Sequence, residues 1–149
     1  MSIIPGQKIN TNWVYPFFHR SKIYGMTYGL SAAGYDIRIA QDIWLFPGIT
    51  RLASSVERFQ MPDDVLARVC DKSSWARRGV FVQNTVIEPG WSGYLTLELT
   101  RGLPWPIRIK AGSPIAQIIF ERLEEPTYYP YAGKYQNQRM GPQPAIDER

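Results

Sequence analysis

The chain has 149 residues, about the length of one domain that buries a core without staples. Its single cysteine, Cys70, rules out an internal disulfide, and no apolar run approaches the roughly 20 residues a membrane-spanning helix needs. The net charge of +4 is modest and scattered rather than gathered in a block, so it leaves nucleic acid open while fitting a small phosphorylated ligand as well, and neither nucleic acid nor a membrane is the expected partner.

Twelve prolines, twelve glycines, nine tyrosines and five tryptophans, set among short alternating runs, predict a mainly β fold with many turns. Residues 1–28 read as an N-terminal segment without clear periodicity. The start of the chain has no basic region followed by an apolar one, so no signal peptide is expected, and the lone thiol suits the reducing cytoplasm. His19, the only histidine, is expected at the surface or in a hydrogen bond. Tyr35 to Ala40 alternates as a strand, with Asp36 and Arg38 on one face and Ile37 and Ile39 on the other. That polar face is either a local ion pair or solvated surface, or part of a site. Ile43 to Phe46 is a short apolar run stopped by Pro47-Gly48, Thr50 to Glu57 a strand, and Met61 to Asp64 a turn. Val65 to Cys70 reads as a buried strand, with Cys70 an inert buried thiol.

The richest stretch runs from Asp71 to Thr100. Lys72-Ser73-Ser74-Trp75-Ala76-Arg77-Arg78-Gly79 suits a single helical turn, in which Ser73 and Arg77 share a face. It is either an ordinary capped turn or a phosphate seat built from Lys72, Ser73 and Ser74. Val80 to Val82 follows as a strand, and Glu88-Pro89-Gly90-Trp91 suits a type II turn. Asn84 and Thr85 beside it are short polar groups able to line a pocket, whereas Trp91 fits the core better than a lid. Gly93 to Thr100 alternates cleanly: Leu95, Leu97 and Leu99 face one way, and Tyr94, Thr96, Glu98 and Thr100 the other. The second face meets either solvent or a pocket, and in a pocket Glu98 is a carboxylate whose pKa burial would raise.

Trp105 to Arg108 and Ser113 to Phe120 read as two further strands around Lys110-Ala111-Gly112. Gln117, polar in an apolar strand, needs either a ligand or a neighbouring loop as partner. Residues 124–149 form a tail rich in proline, glycine and tyrosine, either disordered or closing over something. One histidine and one cysteine cannot build the zinc site of metal-dependent nucleobase deaminases, and there is no Walker loop, dinucleotide fingerprint or Ser-His-Asp triad. Hydrolysis here would rest on a carboxylate and positioned hydroxyls.

KSSWARRG followed by VQNTVIEPGWSGYLTLEL resembles the signature of the dCTP deaminases, members of the trimeric dUTPase-like superfamily. GYDIRI, SVERFQMPDDVLARV, AGSPIAQIIF and GKYQNQRMGPQP extend the resemblance over about residues 29–143. It implies a distorted β-barrel or jelly roll with few short helices, one domain over residues 1–149, and a homotrimer with sites between subunits. The implied reaction is hydrolytic deamination of dCTP to dUTP and ammonia, with Mg2+ carried by the triphosphate and no metal on the protein. Carried over by motif, Glu98 is the general base and acid, Ser73 holds the water, and Arg77 orients Glu98. Lys72 and Ser74 touch phosphate, Gln117 lies near the phosphates, and Tyr131, Lys134 and Gln138 close over the triphosphate. Glu88, Asn84 and Thr85 contact the deoxyribose and base. The segment between Gly79 and Trp91 is shorter than in some members of the family. The competing expectations are a dUTPase or bifunctional enzyme, and a non-catalytic nucleotide-binding trimer.

Overall fold

The computed structural model describes residues 2–148 and is built almost wholly of antiparallel strands. In chain order these begin with β1 (Ser2–Ile3), β2 (Val14–Tyr15), β3 (Ser21–Ile23), β4 (Met26–Leu30), β5 (Tyr35–Arg38), β6 (Ile43–Leu45) and β7 (Thr50–Gln60). They continue with β8 (Val65–Asp71), the single helical turn α1 (Ser73–Ala76), β9 (Val80–Val82), β10 (Val86–Ile87), β11 (Ser92–Arg101), β12 (Ile107–Ile109) and β13 (Pro114–Arg122). One sheet has the order β10-β8-β13-β5-β4-β3, with β1 also paired to β13, and a second has the order β2-β7-β11-β9. A small ribbon joins β12 to β6. This is the mainly β fold that the alternating runs and turn residues predict, in the barrel-like form that the resemblance implies.

A single buried cluster draws on both sheets. Ile37 on β5, Ile39 just after it, Phe59 on β7, Leu97 and Leu99 on β11, and Ile118 and Phe120 on β13 are all nearly or wholly inaccessible. Each such side chain contributes about 1.5–3 kcal/mol through burial. The predicted alternation of β11 is realised: Leu95, Leu97 and Leu99 point into the core, and Tyr94, Thr96, Glu98 and Thr100 stand half-buried on the opposite face.

The polar residues of β5 turn out to form ion pairs. Arg38 Nε meets Glu57 Oε1 at 2.9 Å, and its backbone N–H donates to Glu57 Oε2 at 3.0 Å. Arg38 also stacks between the rings of Phe18 and Tyr28, 5.0 and 4.7 Å from their centroids. Asp36 accepts a hydrogen bond from Lys72 Nζ at 2.8 Å. Several expected bounds shift. β7 runs on to Gln60, because β2 and β11 both pair along it. The strand expected at Trp105 starts instead at Ile107, where pairing with Leu45 begins. Cys70 is half-buried rather than buried. No described helix is long and apolar enough to cross a membrane.

Candidate active site

A pocket of about 460 Å³ opens on the outward face of β11 and β7, within the range of small-molecule sites. Glu98 and Thr96 come from β11, Leu52 from β7, Thr85 to Glu88 from the loop and strand around β10, and Trp91 from the turn that follows. Glu98 reaches this face because it shares the two-residue period of Thr96, while the core leucines occupy the other face. Its partner across the ladder is Leu52. In this partly apolar lining the Glu98 carboxyl is pushed up by desolvation, opposed by a hydrogen bond from its own backbone N–H. Glu88 is the other acid of the lining, and no lysine or arginine is among the lining residues.

The C-terminal tail roofs this pocket. Tyr94 N–H donates to the Gln138 carbonyl at 2.8 Å, Asn137 N–H donates to the Ser92 carbonyl at 2.8 Å, and Gln138 forms a parallel bridge with Gly93. Gly93 has φ +147°, and a Cβ there would lie 2.7 Å from Gln138 N, so only glycine lets the tail approach so closely. The Gln138 side-chain amide donates to Tyr94 O at 2.9 Å and Thr96 Oγ1 at 2.7 Å. Gln136 clamps the chain from both ends of its amide, accepting from Ser92 N–H and donating to Gly90 O and Tyr131 O. The Trp91 indole N–H donates to the Tyr135 carbonyl at 2.7 Å. The tail is thus ordered against β11, and Tyr131, Tyr135, Gln138 and Gln143 bring it to the pocket lining.

The predicted site residues divide into two groups. Glu98, Thr85, Glu88, Tyr131 and Gln138 line the pocket. Lys134 lines an adjoining hollow of about 240 Å³ together with Arg139, and the two cavities share Tyr135, Gln138 and Gln143. Ser73, Ser74 and Arg77 lie on and just after α1, outside the pocket lining, with Ser73 and Arg77 exposed. Asn84 is exposed and also off the lining. Lys72 is buried and its ammonium is bonded to Asp36, so within this chain it is a strut under α1. Gln117 donates to Ser31 Oγ at 3.3 Å, the loop partner that was one of its two readings. The expected Glu88 turn is present, with Trp91 N–H donating to the Glu88 carbonyl at 3.1 Å.

Thr96, Leu52, Tyr135 and Gln143 also line the pocket, and motif reading missed them as site residues. The strand period that singles out Glu98 points equally to Thr96. Leu52 depends on the register of β7 against β11, which no local pattern reveals.

The backbone is similar to that of the dUTPase of Staphylococcus bacteriophage 80alpha, with a TM-score of 0.60 and 15% identity over 74% of this chain and 86% of that one. That likeness places the chain in the dUTPase-like class of folds. Its sequence goes further: the dCTP deaminase-like family profile matches residues 30–123, and the chain belongs to that family. It is 33% identical to the dCTP deaminase of Nautilia profundicola over 93% of this chain and 92% of the relative. It is 37% identical to the dCTP deaminase of Roseiflexus castenholzii over 76% of this chain and 79% of the relative.

Proposed function

We propose that the protein deaminates dCTP hydrolytically to dUTP and ammonia, serving pyrimidine deoxynucleotide supply in the cytoplasm. One observation carries this reading: Glu98, its pKa raised by burial, stands in a partly apolar pocket of nucleotide size. A carboxylate in that setting accepts a proton readily and returns it readily. Water attacks C4 of cytosine and yields its proton to Glu98, which passes it to N3. In the resulting tetrahedral adduct, Glu98 takes the proton of the new hydroxyl and hands it to the exocyclic amine. The C4–N bond breaks, ammonia leaves and C4 becomes the carbonyl of dUTP.

In this proposal Ser73 holds the water and Arg77 flanks Glu98. Both lie outside the pocket of their own chain, so a neighbouring copy in a homotrimer supplies them. Ser74, Lys134 and Gln138 engage phosphate oxygens, and Tyr131 helps to seal the site. Glu88, Thr85 and Asn84 face the deoxyribose and base. Lys72 and Gln117 reach phosphate with the donors left over from their bonds to Asp36 and Ser31. The Mg2+ of this proposal enters on the triphosphate oxygens as part of the substrate.

Incubation with Mg2+ and dCTP, following ammonia, dUTP and pyrophosphate together, tests the reading. Ammonia and dUTP are expected without pyrophosphate; ammonia together with pyrophosphate would mark a bifunctional enzyme, and pyrophosphate from added dUTP with no ammonia from dCTP would mark a dUTPase. Glu98→Gln is expected to keep dCTP binding and to lose at least about 10²–10⁴-fold in turnover. Near-normal turnover by that variant would sink the mechanism.

A further inference from the structure

Arg101 ends β11, the strand that carries Glu98, and it is 2% exposed. Among the described residues it makes no ion pair with a carboxylate. Its guanidinium is instead spread between two backbone carbonyls. Nε donates to the Trp105 carbonyl at 2.8 Å, and Nη1 donates to the carbonyl of Arg78. The Trp105 ring lies 6.0 Å away, offering its face to the cation.

The Arg78 carbonyl belongs to the end of the α1 turn. Within that turn the Arg77 N–H bonds the Ser73 carbonyl, the Arg78 N–H bonds the Trp75 carbonyl and the Gly79 N–H bonds the Ala76 carbonyl. The next carbonyl, that of Gly79, accepts from the Gly102 N–H at 2.8 Å. Gly79 sits at φ +72°, and a Cβ there would lie 2.6 Å from Leu103 Cγ and 3.3 Å from Arg101 Nη1. The glycine lets the turn press directly on Arg101 and its loop. A buried cation without an anion is costly unless its donors are filled. Here Nε and Nη1 are satisfied by two carbonyls, one of them that of Arg78, the residue next to Arg77. Lysine has a point charge on a flexible stem and cannot span both carbonyls in a fixed fork.

We infer that Arg101 is a positioning residue for the deamination, fixing the Ser73–Arg77 turn to the end of the Glu98 strand. This rests on the reading of Glu98, Ser73 and Arg77 given above. Arg101 touches no reacting atom and acts through Arg77. Because Arg77 and Glu98 of one chain serve different pockets in the proposed trimer, Arg101 ties half of one site to half of the next.

The test is Arg101→Lys in the full-length protein, assayed with Mg2+ and dCTP across pH and alongside its thermal midpoint. The ionisable groups around the pocket are Glu98, Glu88, Tyr131 and Tyr135, with Lys134 and Arg139 in the adjoining hollow. A loosened Arg77 withdraws positive charge from Glu98, so the acid limb of kcat/KM should move up by about one pH unit and kcat should fall about tenfold or more. Val14→Ala, which truncates a buried core side chain elsewhere, should lower the thermal midpoint without moving that limb. Adding Arg101→Lys to Arg77→Ala should cost little beyond Arg77→Ala alone. An unmoved limb, or losses that add in full, would overturn the inference. If Arg101→Lys fails to fold, Leu103→Ala slackens the same contact from the loop side and should move the limb the same way; an unmoved limb there would also overturn it. Arg77→Ala separates the two readings: undiminished turnover by that variant would refute the role of Arg77 itself, before Arg101 is reached.

Discussion

Glu98 and Leu52 face each other across the β11–β7 ladder, and that pairing sets the chemistry of the carboxyl. Desolvation raises its pKa, and a general base works only when deprotonated, so activity falls as pH drops through that raised value. Leu52→Thr brings a hydroxyl to the carboxylate and relieves part of the desolvation, so the acid limb of kcat/KM should move to lower pH. Arg77→Ala, which removes a favourable charge in the proposed site, should move it to higher pH, by up to about one to three units. Opposite displacements in the two variants would assign the limb to Glu98, and an identical limb in both would refute that assignment. Glu98 was legible as a candidate because alternation and charge are local properties of the chain. Leu52 and Arg101 were not legible, since one depends on strand register and the other on a loop folding back to meet the end of a turn.

Among the elements, the tail shows how far local reading extends. Its proline, glycine and tyrosine content gave too little aliphatic surface to pack alone, and it indeed adds little to the buried cluster. What holds it is hydrogen bonding to β11 and to the turn at Gly90, through Gln136, Asn137 and Gln138. Such partners are invisible until the strand they bind has been placed. Because the Gln138 amide is spent on Tyr94 and Thr96 in this arrangement, the proposed contact with phosphate requires that it leave them, and the proposed closure is one that exchanges partners. Deleting residues 134–149 should therefore raise KM for dCTP by about tenfold or more, equivalent to about 1.4 kcal/mol of lost binding. It should also uncover Trp91, which is only 6% exposed and bonded to Tyr135, and so shift tryptophan emission to longer wavelength. An unchanged KM in the truncated protein would refute the closing role. The central strands β8, β11 and β13 were legible within about a residue or two of their bounds, because each is a long alternating or apolar run. The short strands among residues 1–28 were not, because β2 and β3 each gain their pairing from a distant or adjoining strand rather than from a pattern of their own.

At the scale of the whole molecule, the site as one chain presents it is unbalanced. The pocket lining holds two acids and no base, whereas α1 carries Ser73 and Arg77 on an exposed turn outside it. A triphosphate beside Glu98 needs cations close by, and an unpaired buried carboxylate needs an offsetting charge during proton transfer. Lys134 and Arg139 in the adjoining hollow answer the first need. In the proposed trimer the exposed turn of a second copy answers the other, through a head-to-tail contact that closes on itself around a ring of three. This makes a quantitative prediction for two strongly impaired variants, Glu98→Gln and Arg77→Ala, co-expressed in equal amounts. In a mixed trimer with each site taking Glu98 from one chain and Arg77 from the next, one site keeps both residues intact and the other two lose at least one. Random assembly makes about three quarters of the trimers mixed, so about one quarter of the wild-type deamination rate should return. The measure is ammonia release per chain from co-expressed protein against the same two variants purified apart and combined only in the assay. Recovery only after co-expression locates the site between chains. If Glu98 and Arg77 act within one chain, no mixed trimer holds an intact site, and co-expressed protein should be no more active than its parents.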